Sequence, residues 1–330
     1  MSRPLASLSL DLDNKWAYLR AAGRHDWMDG PGYLPMVIDR IVEMLGELEL
    51  PLTVFAVGRD LVEDEDCQAI ESFNRLVRWE PANHSLNHLP WMHTMDASEI
   101  ADEIELTGER VAAVTARRPL GFRGPGFSCP AEVLKVLVRN QYAYDASVFP
   151  TSIAPLARMA FLARTQLQGE AREKAKQLYG GFASLRQPNR PFLRQVDGFA
   201  LWEMPVTVMP LSRTPIHFSY LTYLASISQL CAKTYFWTAL RMCQLTKTPP
   251  SLLLHPLDFM GFEDDRDLAY FPGMNMARHE KLAFLRWALK QFATAFDVRC
   301  MIDQLKLIDP AIDPDRALER QSIATEALVS

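Results

Sequence analysis

The chain has 330 residues, is 48% hydrophobic and 23% charged, and carries a formal net charge of −5 with a pI near 5.9. That is ample apolar sequence for a large globular core, and the absence of a Lys/Arg-rich run argues against a nucleic-acid binder. The five cysteines (Cys67, Cys129, Cys231, Cys243, Cys300) are scattered and lack CxxC spacing, which suits a reducing compartment and argues against a thiolate zinc site.

Met1 to Ala6 is too short to hold the apolar core of a signal peptide, so a cytoplasmic protein is expected. Leu5 to Leu12 reads as a buried strand that runs straight into acids, in SLDLDNKW, Ser9 to Trp16. Alternate side chains of a strand share a face, so Asp11 and Asp13 stand together there or where the strand loosens into a loop. Carboxylates held that close repel and lose solvation, and a metal ion compensates them. The other reading is a strand followed by a solvated Asp-Asn turn.

Leu34 to Leu48 has helical periodicity, and Leu52 to Val57, closed by Gly58, reads as a second strand. Asp60 to Trp79 reads as helix and Glu80 to His84 as a short strand. Ala97 to Ala116 is a helix with Asp96 or Ser98 as its N-cap. Gly121 to Gly126 is a strand end with a Gly-rich loop, and Pro130 fits the first turn of the next helix. Tyr142 to Val148, Ala200 to Val208 and Ser251 to Leu257 complete roughly seven strands. Repeated strand–helix alternation predicts a parallel sheet, open or closed into a barrel, with 1–330 forming one domain.

Two stretches interrupt the rhythm. Ala154 to Arg194 is long, basic and partly helical, a connection of a size that carries function more often than filler. Thr214 to Ala232 has no Lys, Arg, Asp or Glu and is rich in aromatics; Pro215, His217 and several Ser/Thr residues make it a buried or groove-lining helix rather than a membrane span.

The strongest local signal is Asn83-His84-Ser85-Leu86-Asn87-His88. Two histidines four apart lie on one face of a helix or turn and can bind one divalent ion through their ring nitrogens. Two imidazoles and a carboxylate form a common catalytic metal shell with positions left open for water and substrate.

The ordered set SLDLD, TVFAVG, NHSLNH, GFRGPG and LLLHP resembles the polysaccharide deacetylase (NodB-homology) family of carbohydrate esterases, in an intracellular branch with a DxD first motif. The resemblance spans about Ser7 to Phe259, and the helix Arg278 to Phe296 also fits. It implies a distorted (β/α)7 barrel with the site at the strand C-terminal ends and with insertions, about 151–195 and 212–245, on that face. It further implies Asp11 as general base, Asp13, His84 and His88 as metal ligands, Arg123 as the partner of the base, and His255 as general acid. The Gly126 amide falls where the family places its oxyanion donor. Trp16, Trp91 and Phe127 are expected to line a substrate cleft, and Asp145 to orient His255 in competition with Asp258 and Glu203.

The sequence departs from the family pattern in places. The first motif more commonly has consecutive acids followed by Gly-Pro, the third an aromatic where Gly126 stands, and the fifth His-Asp rather than His-Pro. The cofactor implied is one divalent ion, zinc, with Co2+, Ni2+, Fe2+ or Mn2+ as alternatives. The expected reaction removes an N-acyl group, acetate, from an amino sugar carried on a nucleotide or a polyprenyl lipid, at the inner face of the membrane. Arg164, Arg172 or Arg186 would meet a phosphate, and the aromatic stretch would make peripheral membrane contact. The alternatives are cleavage of a cyclic imide or ureide, and a glycan-binding scaffold without turnover. His25, His93, His217 and His279 read as surface or satisfied histidines, Arg117-Arg118 as a solvated helix end, and Glu263 to Asp267 as a solvated loop.

Overall fold

The computed structural model describes residues 3–154, 159, 169 and 182–312. The strands are β1 (Leu5–Leu12), β2 (Leu52–Ala56), β3 (Trp79–Asn83), β4 (Gly121–Phe122), β5 (Tyr144–Asp145), β6 (Phe192–Val196), β7 (Phe199–Glu203), β8 (Ser251–Leu254) and β9 (Asp297–Arg299). Among the described residues they form one sheet in the order β6-β7-β5-β4-β3-β2-β1-β8, with β9 also on β1. All pairings are parallel except the β6–β7 hairpin. β1, β2, β3 and β8 are buried along nearly their whole length, as strands covered on both faces must be.

The stretch after β7 closes the sheet on itself. Met204 N–H donates to Asp145 O at 2.8 Å and Val206 N–H to Val148 O at 2.9 Å, while Thr207 N–H reaches Ser251 O at 3.1 Å on β8. The result is a distorted (β/α)7 barrel. Its register aligns the strand ends: Asp11 pairs with Phe55, Ala56 with Asn83, Asn83 with Phe122, and Leu10 with Leu254. The residues that follow, Asp13, His84, Arg123 and His255, therefore emerge at one end of the barrel.

Several elements differ from expectation. The 60–79 helix is only Asp64–Glu71, flanked by 3-10 turns at Gly58–Asp60 and Ser72–Arg75, and Trp79 already belongs to β3. Three acids fill that helix's first turn and Ile70 is its one buried residue, so little packing extends it. The expected strands at 142–148 and 200–208 shorten to β5 and β7, because the residues after them leave the ladder to close the barrel. The hairpin partner β6 falls in the stretch read as a connection. The uncharged stretch is two helices, Phe218–Ile227 and Gln229–Leu245, broken at Ser228, whose hydroxyl caps the second. No helix among the described residues is long and apolar enough to cross a membrane. Most of the 151–195 insertion, with Arg164 and Arg172, lies outside the described residues; Arg186 is exposed.

Three acids of the loop 263–267 are held by cations, while Glu263, Arg266 and Asp267 remain exposed as expected. Asp264 pairs with Arg40 (2.9 Å) and Arg278 (2.6 Å), and Asp265 and Asp267 both pair with Lys15 at 2.9 Å. Arg117 likewise stacks on Trp79, 4.2 Å from its ring centroid, instead of pointing to solvent.

Glu80 ties the sheet together away from the strand C-terminal ends. It accepts from Thr53 Oγ1 (2.9 Å), Tyr144 Oη (2.7 Å) and Ile302 N–H (3.0 Å). Burial nevertheless pushes its carboxyl up to about 7. Between the ordinary value of about 4.3 and that raised one, the folded chain holds a proton that the unfolded chain has released. This contribution to stability is therefore full at low pH and is lost as pH rises through about 7. Urea unfolding at pH 5 and pH 8 should show the wild-type chain losing about 2–3 kcal/mol more than Glu80→Gln; equal losses would exclude a proton on Glu80.

Candidate metal centre and active site

β1 delivers two acids to one place. Asp11 and Asp13 share a face at the strand's end while Leu12 between them is buried on the other. Tyr33 Oη donates to Asp13 O at 2.6 Å. Asn14 then caps the helix Lys15–Ala21 through a 2.8 Å bond from Lys15 N–H, turning the chain away after the second acid.

The two histidines follow β3 in a loop, not on a helix. Ser85 (φ 62°) and His88 (φ 49°) both adopt left-handed backbone, which L-residues favour only when the surroundings impose it. The imposing bonds are visible. Asn83 Oδ1 accepts Ser85 N–H (2.8 Å), Glu103 accepts both Asn87 N–H (2.8 Å) and Asn87 Nδ2 (2.7 Å), and Gly58 N–H donates to Ser85 O (3.0 Å). Arg20 donates to the carbonyls of Asn87 and His88.

The outcome is a buried convergence. His84 Nε2 lies 3.4 Å and His88 Nε2 3.0 Å from Asp13 Oδ1. Ligand atoms of Asp13, His84 and His88 all lie within 4.8 Å of one another, a candidate metal site. His84 Nδ1 sits 2.6 Å from Arg123 O, a carbonyl that can only accept, so Nδ1 carries the proton and the Nε2 lone pair faces inward. Asp13 Oδ1 is buried with no hydrogen bond directed at it. An orphaned carboxylate oxygen facing two imidazole nitrogens is what a divalent cation completes, so these residues fit the group. Burial opposes ionisation of Asp13, but the two imidazoles that face it, His88 foremost, hold its carboxyl well below the usual range.

Asp11 stands beside this trio with its two oxygens differently engaged. Oδ1 receives Arg123 Nη1 at 2.6 Å; Oδ2 lies 3.9 Å from His84 Nε2 and 3.9 Å from His255 Nε2. Arg123 is fully buried, stacked 4.1 Å from the Phe55 ring centroid and bonded to Ala146 O and Ser9 Oγ at 3.0 Å each. Gly126 (φ 57°) and Phe127 (φ 63°) form a left-handed pair in the loop after β4. Gly124 N–H in that loop is held by Ser147 Oγ at 2.8 Å.

Asp145 and Glu203, expected as candidates to orient His255, are engaged elsewhere. Asp145 does not reach His255; it accepts from Ser147 Oγ (2.5 Å) and Cys129 Sγ (3.2 Å). His255 is held instead by Ser219 Oγ, 3.0 Å from Nδ1, and by Asp258, which accepts its backbone N–H at 2.8 Å. The Trp91 indole makes no ring contact or hydrogen bond with Asp13, His84 or His88, whereas Trp16 donates to buried Asp60 at 2.7 Å. Glu203 is spent on Arg194 (2.9 Å) and Val148 N–H (2.9 Å).

Sequence reasoning missed two residues of the uncharged stretch. Ser219 begins a helix and carried no spacing signal. His217, read as a satisfied histidine, places its ring 6.5 Å from that of His255 and 5.4 Å from Phe149, which stacks on Phe127 at 4.7 Å. Its Nδ1 is buried without a partner, and burial together with the nearby His255 drives its pKa down to about 3, so the ring is neutral. The absence of Lys, Arg, Asp and Glu around both residues hid a polar pair in what looked like core.

Part of the sequence and the whole fold have known counterparts. Residues 27–144 match the polysaccharide deacetylase family model. A Mycobacterium smegmatis protein described as a polysaccharide deacetylase superposes with a TM-score of 0.58 at 15% identity, covering 94% of each chain. One from Pseudomonas aeruginosa PAO1 gives 0.56 at 13% (92% of this chain, 90% of that one), and the PuuE allantoinase 0.55 at 14% (92% and 89%). No curated protein matches the sequence. The family match is confined to residues 27–144, and the superpositions, at 13–15% identity, show that the chain shares the fold of these proteins.

Proposed function

We propose that the chain is an N-deacylase of an acylated amino sugar, with zinc held by Asp13, His84 and His88. The observation that carries the reading is the divided environment of Asp11: one oxygen locked by Arg123, the other free between His84 and His255. A divalent ion bound at the trio supplies Lewis-acid activation of water and of the scissile carbonyl. Asp11 Oδ2 takes the proton of the attacking water, and Arg123 keeps that carboxylate ionised and aimed. His255 Nε2 gives a proton to the departing amine, its ring fixed by Ser219. The left-handed turn at Gly126 supports its backbone N–H as a donor to the developing oxyanion.

Acetate is the acyl group this reading favours, and a nucleotide- or lipid-linked amino sugar in the cytoplasm the substrate. Its test is acid release from N-acetylated amino sugars by zinc-loaded protein, abolished by a chelator and restored by added zinc. Chelator-resistant release would rule out the metal-dependent route. Faster hydrolysis of a cyclic ureide than of any N-acetyl sugar would assign the same site to a ring amide.

A further inference from the structure

Two arginines share one pair of indoles beside the metal loop. The Arg20 guanidinium lies 5.0 Å from the Trp16 ring centroid and 5.2 Å from that of Trp27; Arg59 lies 5.3 and 5.1 Å away. The rings themselves are 6.0 Å apart. Arg20 has a structural task, since it donates to the carbonyls of Asn87 and His88 and so fastens the loop that carries the imidazoles. Arg59 has none of that kind. Its guanidinium makes one weak contact, 3.9 Å to Met28 Sδ. Among the described residues no carboxylate pairs with either arginine, whereas the neighbouring Lys15 is matched by Asp265 and Asp267.

A stack that serves packing alone needs one cation. A second beside it repels the first, and burial together with the charge of Arg59 lowers Arg20 to about 10. Arg59 faces a cavity of about 130 Å³ lined also by Trp16, Trp27, Met28, the Gly30–Gly32 turn, Lys15 and one carboxylate, Asp29, which makes no ion pair with Arg59. The walls of that space are tied to the metal loop. Trp16 follows Asp13 by three residues, and the backbone N–H groups of Gly58 and Arg59 bond Ser85 O and Leu86 O of the metal loop at 3.0 and 2.9 Å. The cavity has room for a compact oxyanion.

We infer that Arg59, seated on Trp16 and Trp27, is the recognition site for an oxyanion group, phosphate or carboxylate, borne by the substrate. This rests on the N-deacylase reading for what sits at the metal, but the anion site itself does not need turnover to be seen. A planar guanidinium presents a fork of donors that matches either group. On this inference a cation that meets the substrate's charge sits in the loop after β2.

Two arms test it. In the first, inorganic phosphate and, separately, acetate are titrated against the zinc-loaded protein at constant ionic strength, with tryptophan fluorescence as the readout. A saturable change is expected, weakened about 10-fold or more in Arg59→Gln and restored only in part in Arg59→Lys, which keeps the charge but not the planar fork. Phosphate alone acting identifies a phosphate ester, acetate alone a carboxylate. No saturable change with either anion, or an Arg59→Gln chain that titrates like wild type, overturns the inference. The second arm compares kcat/KM for N-acetylglucosamine 1-phosphate and N-acetylglucosamine. If phosphate is the group bound, that ratio falls about 10-fold in Arg59→Gln, through KM. Anion binding without turnover of any N-acetyl sugar sinks the deacylase reading and leaves the subsite standing; turnover with no dependence on Arg59 does the reverse.

Discussion

Asp11→Asn should leave one zinc bound per chain and lower acid release by about 10²–10⁴-fold, the usual contribution of a positioned general base. The carboxamide is nearly isosteric and can still accept from Arg123 Nη1, now 2.6 Å from Oδ1, so the buried arginine keeps a partner. What it cannot do is take a proton on the oxygen that lies 3.9 Å from both His84 and His255. Metal content separates this from damage to the site, because Asp11 is outside the trio that holds the ion. Near-wild-type turnover in Asp11→Asn would move the base to His255 and leave Asp11 a spectator.

Arg123→Met should be the most destabilising single change at the site, by about 3–5 kcal/mol, because it strands a buried carboxylate. Asp11 is 4% exposed and Arg123 fully buried, so water does not replace the lost charge. The same substitution frees Ala146 O and Ser9 Oγ, two further buried acceptors. Urea denaturation gives the loss directly. Adding Asp11→Asn to Arg123→Met should recover part of it, since the stranded charge is then gone. A double variant as unstable as the sum of the two singles would mean that the two side chains act independently.

The legible part of the site was the part written in strand registers. Asp11 and Asp13 could be paired from the period of a strand, and His84 and His88 from their spacing after a Gly-closed strand. Parallel pairing then fixed their depth: Leu10 opposite Leu254 sets His255 beside Asp11 without any local signal. Where geometry depends on tertiary bonds, the sequence was silent. The histidine loop is held by Glu103 from the helix Ala97–Thr115 and by Arg20 from the helix Lys15–Ala21, and neither pairing has a spacing of its own. Asp145, expected to orient His255, is engaged by Cys129 and Ser147, and His255 is oriented from a stretch whose lack of charge suggested core. One miss had a readable cue. Asp197-Gly198 turns with φ of 49° and 84°, the left-handed pair that joins two short strands into a hairpin, and it lies just beyond the connection to which β6 was assigned.

The central claim is that Asp13, His84 and His88 hold one catalytic divalent ion. An anomalous difference map from zinc-soaked crystals tests it most directly. The account predicts a single strong peak about 2.0–2.2 Å from one Asp13 carboxylate oxygen and from Nε2 of both histidines, absent in His84→Ala. No peak within reach of these three side chains, or an equal peak in His84→Ala, would contradict it.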